Sequence, residues 1–279
     1  MRRMRRTRGA MMGMAIVAAC VAAIPALAER PQSATKPAGE YKPFSGQPGK
    51  DVVWLPTQQA LVDRMLDLAR LTPADYLVDL GSGDGRTVIS AALRGARAHG
   101  IEFNPDMVAL ARRNARDAGV QKLATFERGD IFETDFSRAT VVTLFLLPNL
   151  NLKLRPTLLR MAPGTRIVSN SFAMGDWEPD ASIDAGGDCT NFCRAFEWIV
   201  PASVDGAWRS AEGRLTFKQS FQQVSGAMTV AGREQPVSDA QVRGRYLMFN
   251  AAGRRYVGSV DGDRIEGLVD GQAWSAQRE

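Results

Sequence analysis

Val78-Asp79-Leu80-Gly81-Ser82-Gly83-Asp84-Gly85-Arg86 decides how this chain is read. The apolar run over 76–80 predicts a short strand, and 86–93 predicts a helix opening straight from the glycines. Gly81, Gly83 and Gly85 let the chain turn sharply and bring backbone N–H groups close to a ligand. Alone, such a turn matches many loops, so its surroundings must carry the argument. Strands are predicted over 98–103, 123–128, 140–147 and 165–170, with helices over 105–118 and 153–161. Upstream, residues 57–70 put Leu61, Val62, Met65 and Leu66 on one helical face, with Thr57 in the N-cap region. Residues 195–201 read as the last strand of this unit. Strands alternating with helices mean a mostly parallel α/β sheet, covered on both faces and joined by right-handed crossovers.

The strand ends then supply the chemistry. Glu102 lies 17 residues beyond Gly85, where a carboxylate accepts hydrogen bonds from both hydroxyls of a ribose. The third strand delivers Gly129-Asp130-Ile131 to the amino edge of an adenine. NAD and S-adenosyl-L-methionine (SAM) both contain an adenosine, so this geometry fits either. Asp79 separates them: a carboxylate beside the turn faces a pyrophosphate badly but suits a methionyl ammonium. No G-x-x-x-x-G-K-[S/T] run is present, which excludes a P-loop. The donor-binding candidates are Asp79, Gly81, Gly83, Asp84, Gly85, Glu102 and Asp130. With His99 as the single histidine, neither a His-based metal site nor a Ser-His-Asp triad is expected, and no metal is assigned.

Composition bounds the rest. The chain has 279 residues, 45% of them hydrophobic and 23% charged, which excludes a disordered tail or a collagen-like fibre. Its net charge of +5 sits in Arg2, Arg3, Arg5, Arg6 and Arg8; without residues 1–28 the chain is neutral. A neutral body argues against a nucleic-acid partner. The arginines precede an apolar run and Ala26-Leu27-Ala28, so residues 1–28 read as a signal peptide or membrane anchor that engages the membrane and export machinery. That places the protein outside the cytoplasm: exported, periplasmic, or anchored to the inner membrane facing the periplasm. Residues 29–50, rich in Pro and Gly, read as a linker or arm, and 51–203 as the sheet domain. Cys189 and Cys193 either pair or serve as small hydrophobes. From 204 to 279, alternating segments broken by Glu212-Gly213, Asp261-Gly262 and Asp270-Gly271 predict a small antiparallel β domain.

Asp79 to Arg86, Gly100-Ile101-Glu102-Phe103-Asn104-Pro105 and Arg128-Gly129-Asp130 together resemble the first three motifs of class I SAM-dependent methyltransferases. A narrower likeness, over roughly residues 41–178, is to the protein lysine N-methyltransferases of archaea and mitochondria. It rests on Asp51-Val52-Val53-Trp54-Leu55-Pro56-Thr57, on Phe145-Leu146-Leu147-Pro148, and on the run from Pro163 to Asn170. The resemblance implies a Rossmann-like methyltransferase sheet, SAM as donor, and a lysine amine of a membrane or envelope protein as acceptor. It also implies that Trp54, Pro56 and Thr57 fold over the donor, and that Leu147 and Pro148 border the acceptor, with backbone carbonyls near Leu147 taking its protons. Asn170 and Trp177 are further candidates for the same crevice. Methyl transfer needs donor and acceptor collinear and about 3 Å apart, without a metal or covalent nucleophile. The acidic-or-Asn, Pro-Pro, aromatic pattern of amide and ring-nitrogen methylases is absent after the fourth strand. Two other readings stay open: a methyltransferase of small molecules or lipids, and an exported, non-catalytic module that binds an adenosine ligand.

Overall fold

The computed structural model describes residues 41–187 and 189–279. The candidate signal or anchor at 1–28, and the linker up to residue 40, lie outside the described residues.

An extended arm over 41–57 leads into α1 (Gln59–Leu68), which buries Leu61, Val62, Met65 and Leu66. Thr57 does not cap it: Gln58 holds the cap position, without a side-chain bond. The alternation then runs β1 (Tyr76–Leu80), α2 (Arg86–Leu93), β2 (Arg97–Glu102), α3 (Pro105–Asp117), β3 (Ala124–Arg128), β4 (Val141–Leu144), α4 (Pro148–Leu158) and β5 (Arg166–Asn170). Two antiparallel strands, β6 (Ala181–Asp184) and β7 (Arg194–Ile199), complete a seven-stranded sheet of order β3-β2-β1-β4-β5-β7-β6. β1 pairs in parallel with β2 on one side and β4 on the other. Sequential order therefore breaks there, and the crevice of an open sheet forms over the carboxyl ends at such a break.

Burial follows from this layering. Leu77, Val78, Asp79 and Leu80 are all buried, as a central parallel strand covered on both faces requires. α4 starts at Pro148, five residues before the sequence-based start, because proline's missing N–H costs nothing in a first turn. β4 stops at Leu144, so Phe145, Leu146 and Leu147 leave the strand and turn across the sheet's edge.

The remaining chain forms β8 (Gly206–Ser210), β9 (Arg214–Ser220), β10 (Gln223–Val230), β11 (Arg233–Pro236), β12 (Ser238–Arg243), β13 (Tyr246–Ala251), β14 (Arg254–Asp261), β15 (Arg264–Val269) and β16 (Gln272–Arg278). Antiparallel pairing runs β10-β12-β13-β14-β15-β16-β8-β9, and β9 pairs back to β10, closing a barrel-like ring with β11 outside it. The Asp270-Gly271 turn has both residues at positive φ, the primed geometry that matches strand twist. Alternate side chains fill the ring: Phe249 stacks on Tyr256 at 4.6 Å, and Trp274 meets both edge-on. The barrel joins the sheet domain through Phe221, which stacks on Trp177, and through Gln222, whose side-chain N–H donates to the Glu178 carbonyl. Trp177 is fully buried in this junction, against Trp198 as well as Phe221, and does not line the crevice.

Candidate active site

A cleft of about 1050 Å³, counted with its open mouth, lies over the carboxyl ends of β1, β2, β3 and β4. Asp79, Gly81, Asp84, Glu102 and Asp130 line it, and Trp54, Pro56 and Thr57 form its opposite wall. The structure thus gathers three strand-end carboxylates and the arm around one space. Gly83 and Gly85 belong to the turn but do not line the space. A Cβ on Gly83 would stand 2.3 Å from the Trp54 indole nitrogen; one on Gly85 would meet Phe126 and Ala111 within 3 Å. With φ of +53° and +84°, both positions demand glycine twice over, by backbone and by close approach. One lets the arm sit on the turn, and the other lets α2 pack against the sheet.

Each carboxylate has its own setting. Glu102 is held by two backbone groups: Gly83 N–H donates to Oε2 and Asn104 N–H to Oε1, both at 2.9 Å. Asp79 is buried and accepts from the Thr143 hydroxyl at 2.6 Å. Burial is the main force on its carboxyl, reinforced by Glu102 and Asp84 and opposed by Thr143; the pKa is pushed up to about 7. Asp130 pairs with Lys50 of the arm and accepts the Phe132 N–H at 3.0 Å. The bond from Lys50, then that from Phe132, holds its carboxyl below the usual range. Asp84 is engaged within the protein, by a fork from Arg86 that includes a 2.6 Å contact.

Arg86, Lys50 and Asn170 complete the site, and the first two were not singled out by sequence reasoning. Arg86 reaches from Asp84 to the Thr57 carbonyl at 2.8 Å, tying the turn to the arm. Lys50 also lies 5.0 Å from the centre of the Phe103 ring. Asn170, wholly buried at the end of β5, donates to the Thr57 hydroxyl at 3.2 Å. The arm is thus fastened at Asp130, at Asp84 through Arg86, and at Asn170. Leu147 and Pro148 are exposed at the start of α4 and do not line the cleft. The Leu147 carbonyl already accepts the N–H groups of Leu150 and Asn151 in the first turn of α4, so a lysine amine does not find it free. Phe145 and Leu146, one step earlier, are the residues of this segment that line the cleft.

The cleft suits SAM on its own geometry. It ranges along the sheet from Asp130 and Ile131 to Leu144 and Phe145, offering an acid for a ribose and another for an ammonium. Ser82, on the same wall, has a buried hydroxyl without a partner in the protein.

Known proteins place this arrangement. Residues 79–181 match the ANTKMT methyltransferase domain model. A protein-lysine N-methyltransferase of Saccharolobus islandicus is 42% identical over 135 residues, covering 47% of this chain and 84% of that protein. This chain belongs to the protein-lysine N-methyltransferase family. The adenine nucleotide translocase lysine N-methyltransferase of Mus musculus is 38% identical over 46% of this chain, which spans 56% of its length. A Salinibacter ruber structure, described as an RNA methyltransferase in complex with S-adenosyl-L-homocysteine, is 51% identical, with a TM-score of 0.50. It covers 54% of this chain and 96% of that one. The chain is a SAM-dependent methyltransferase with a Rossmann-like class I sheet and a C-terminal antiparallel β domain.

Membership of this family corrects the expected location. The matching methyltransferases act in the cytoplasm or the mitochondrial matrix, which overturns an exported, periplasmic or periplasm-facing enzyme. No helix among the described residues is long and apolar enough to cross a membrane. Engagement of export machinery has no support either. Clustered arginines before an apolar stretch are a compositional cue, and composition by itself fixes no compartment.

Proposed function

We propose that this enzyme methylates the side-chain amine of a lysine in a membrane protein, with Asp79, Glu102 and Asp130 holding SAM. One observation carries the reading: three strand-end carboxylates face a single cleft that a fastened arm walls on its other side. Glu102 takes the ribose hydroxyls, Asp79 the methionyl ammonium, and the Asp130–Ile131 turn the adenine edge. Bound there, SAM supplies a methyl on a sulfonium, and the C–S electron pair leaves with sulfur as the new C–N bond forms.

The protein's part is mainly positioning and exclusion of water. Trp54 lies on the glycine turn and Thr57 is pinned by Asn170, so the arm shields the donor from solvent. Phe145 and Leu146 give the acceptor end an apolar lining. That setting disfavours the ammonium form of lysine, whose ordinary pKa is about 10.4, and eases the proton loss that frees a lone pair. The mouse relative, named for the adenine nucleotide translocase, supports a membrane-protein acceptor.

The test is incubation of the full chain with methyl-labelled SAM and a membrane extract, followed by gel and mass spectrometry. Label on lysine nitrogen of a protein is the expected result. Label confined to lipids or other small molecules contradicts the reading. The likeness to the Salinibacter ruber RNA methyltransferase makes added RNA a necessary arm, and label in RNA alone contradicts it too.

A further inference from the structure

The tip of the β6–β7 hairpin reaches the same edge of the sheet as the cleft. Asn170 pairs with Ala195, and Asp184 with Arg194, so both antiparallel strands meet the tip at the carboxyl end of β5. SAM is assigned to the β3, β2 and β1 side, which leaves the tip over the acceptor half. Cys189 and Cys193 close the tip as a disulfide, with Cα atoms 5.7 Å apart. Between them, Thr190 and Asn191 are bound to Gln58 of the arm: its amide donates to the Thr190 hydroxyl at 3.1 Å and the Asn191 carbonyl at 3.3 Å, and accepts the Thr190 N–H.

Phe192 is the residue this closure presents. Its φ of +56° lies in the left-handed region, where a bulky side chain persists only if its surroundings impose it. Its ring meets Phe145 edge-on at 5.3 Å and Phe172 at 6.0 Å, while Phe145 and Phe172 stack at 6.2 Å. Phe145 lines the cleft, yet Phe192 remains 44% exposed. Three rings thus meet at the mouth, with one face uncovered beside the wall that Thr57 and Asn170 fix.

We propose that Phe192, with Phe145 and Phe172, holds the alkyl stem of the acceptor lysine, and that the Cys189–Cys193 bond sets acceptor affinity by holding Phe192 there. Aromatic rings suit this occupant, since four methylenes bury against them while their faces attract the amine end when it is charged. The inference rests on the lysine reading above. Reduction takes two electrons and two protons from a dithiol, which becomes a cyclic disulfide, and leaves two thiols on a tip held by Gln58 alone.

The test uses the full chain and a short fluorescent peptide with one lysine between apolar residues. Peptide affinity is read by anisotropy with S-adenosyl-L-homocysteine present, and kcat and KM are read for both substrates. Phe192→Ala is expected to weaken peptide binding and raise peptide KM about tenfold, leaving SAM affinity within about twofold; Phe192→Tyr keeps the wild-type values. Dithiothreitol is expected to weaken peptide binding in the wild type, and to do nothing further to a Cys189→Ser, Cys193→Ser double variant. Peptide affinity unchanged in Phe192→Ala, or SAM affinity lost equally, overturns this proposal alone. A wild type that neither binds nor methylates the peptide, while still binding SAM, overturns the lysine reading and this proposal with it.

Discussion

The two β regions of this molecule spend their buried groups differently. In the barrel, Trp208, Phe217, Phe249, Tyr256 and Trp274 fill the interior, and its ion pairs, such as Arg254–Asp270 and Arg245–Asp261, lie outside. In the sheet domain, the strand ends carry Asp79, Glu102 and Asp130 into a cleft that side chains leave open. A buried carboxylate costs stability unless it is compensated, and Asp79 has one hydroxyl partner and two acidic neighbours. The barrel is therefore built for stability. The cleft keeps an electrostatic cost that a cationic ligand relieves.

The largest effect expected from this contrast is on the barrel. Trp208→Ala empties a fully buried site and is expected to lower unfolding free energy by about 3–5 kcal/mol. Denaturant melts check the loss, and titration with SAM should show unchanged affinity; a parallel loss of affinity would mean the two regions act as one. Glu102→Ala should do the reverse. Removing a charged acceptor of two hydroxyl hydrogen bonds costs about 1.5–3 kcal/mol, or roughly 10–100-fold in SAM affinity by calorimetry. Its melting temperature should stay close to that of the wild type.

Asp79 sharpens the contrast through pH. Between the unfolded value near 4 and the folded value of about 7, the folded protein keeps a proton that the unfolded chain releases. Ligand-free stability from this group is therefore greatest at low pH and falls as pH rises through that window. SAM affinity moves oppositely, because a methionyl ammonium needs the ionised carboxylate. It should climb about tenfold between pH 6 and 8 and then level off. Asp79→Asn should flatten that profile; an unchanged slope would assign the titration to another group. The smallest effect belongs to Lys50→Ala, which unfastens one of three arm contacts. Its pair with Asp130 is exposed and screened by salt, so donor release should quicken by only about twofold to fivefold in stopped-flow measurements.

How much of this was readable from the residues depends on how local each cause is. The glycine turn between β1 and α2, and the placement of Glu102, follow from short-range spacing, and both were legible. So was an antiparallel unit, because alternation and Asp-Gly turns are local signals. Closure was not, since it depends on β9 returning to β10 and on β8 meeting β16 across the chain. The start of α4 was hidden because Pro148 resembles a breaker until its place in the first turn is known. Lys50 and Asp130 are 80 residues apart, and no periodicity brings an arm lysine to a strand-end acid. Spacing alone left the Cys189–Cys193 pair open, because its geometry belongs to a hairpin tip, whereas four residues along a helix bring two thiols together poorly.

The central claim is that SAM lies across the ends of β1, β2 and β3 with its ribose on Glu102. A crystal structure of the complex with S-adenosyl-L-homocysteine tests it most directly. The account expects both ribose hydroxyls within about 2.5–3.0 Å of the Glu102 carboxylate and the amino group beside Asp79. A ligand bound elsewhere, or one that leaves Glu102 bonded only to Gly83 and Asn104, would contradict it.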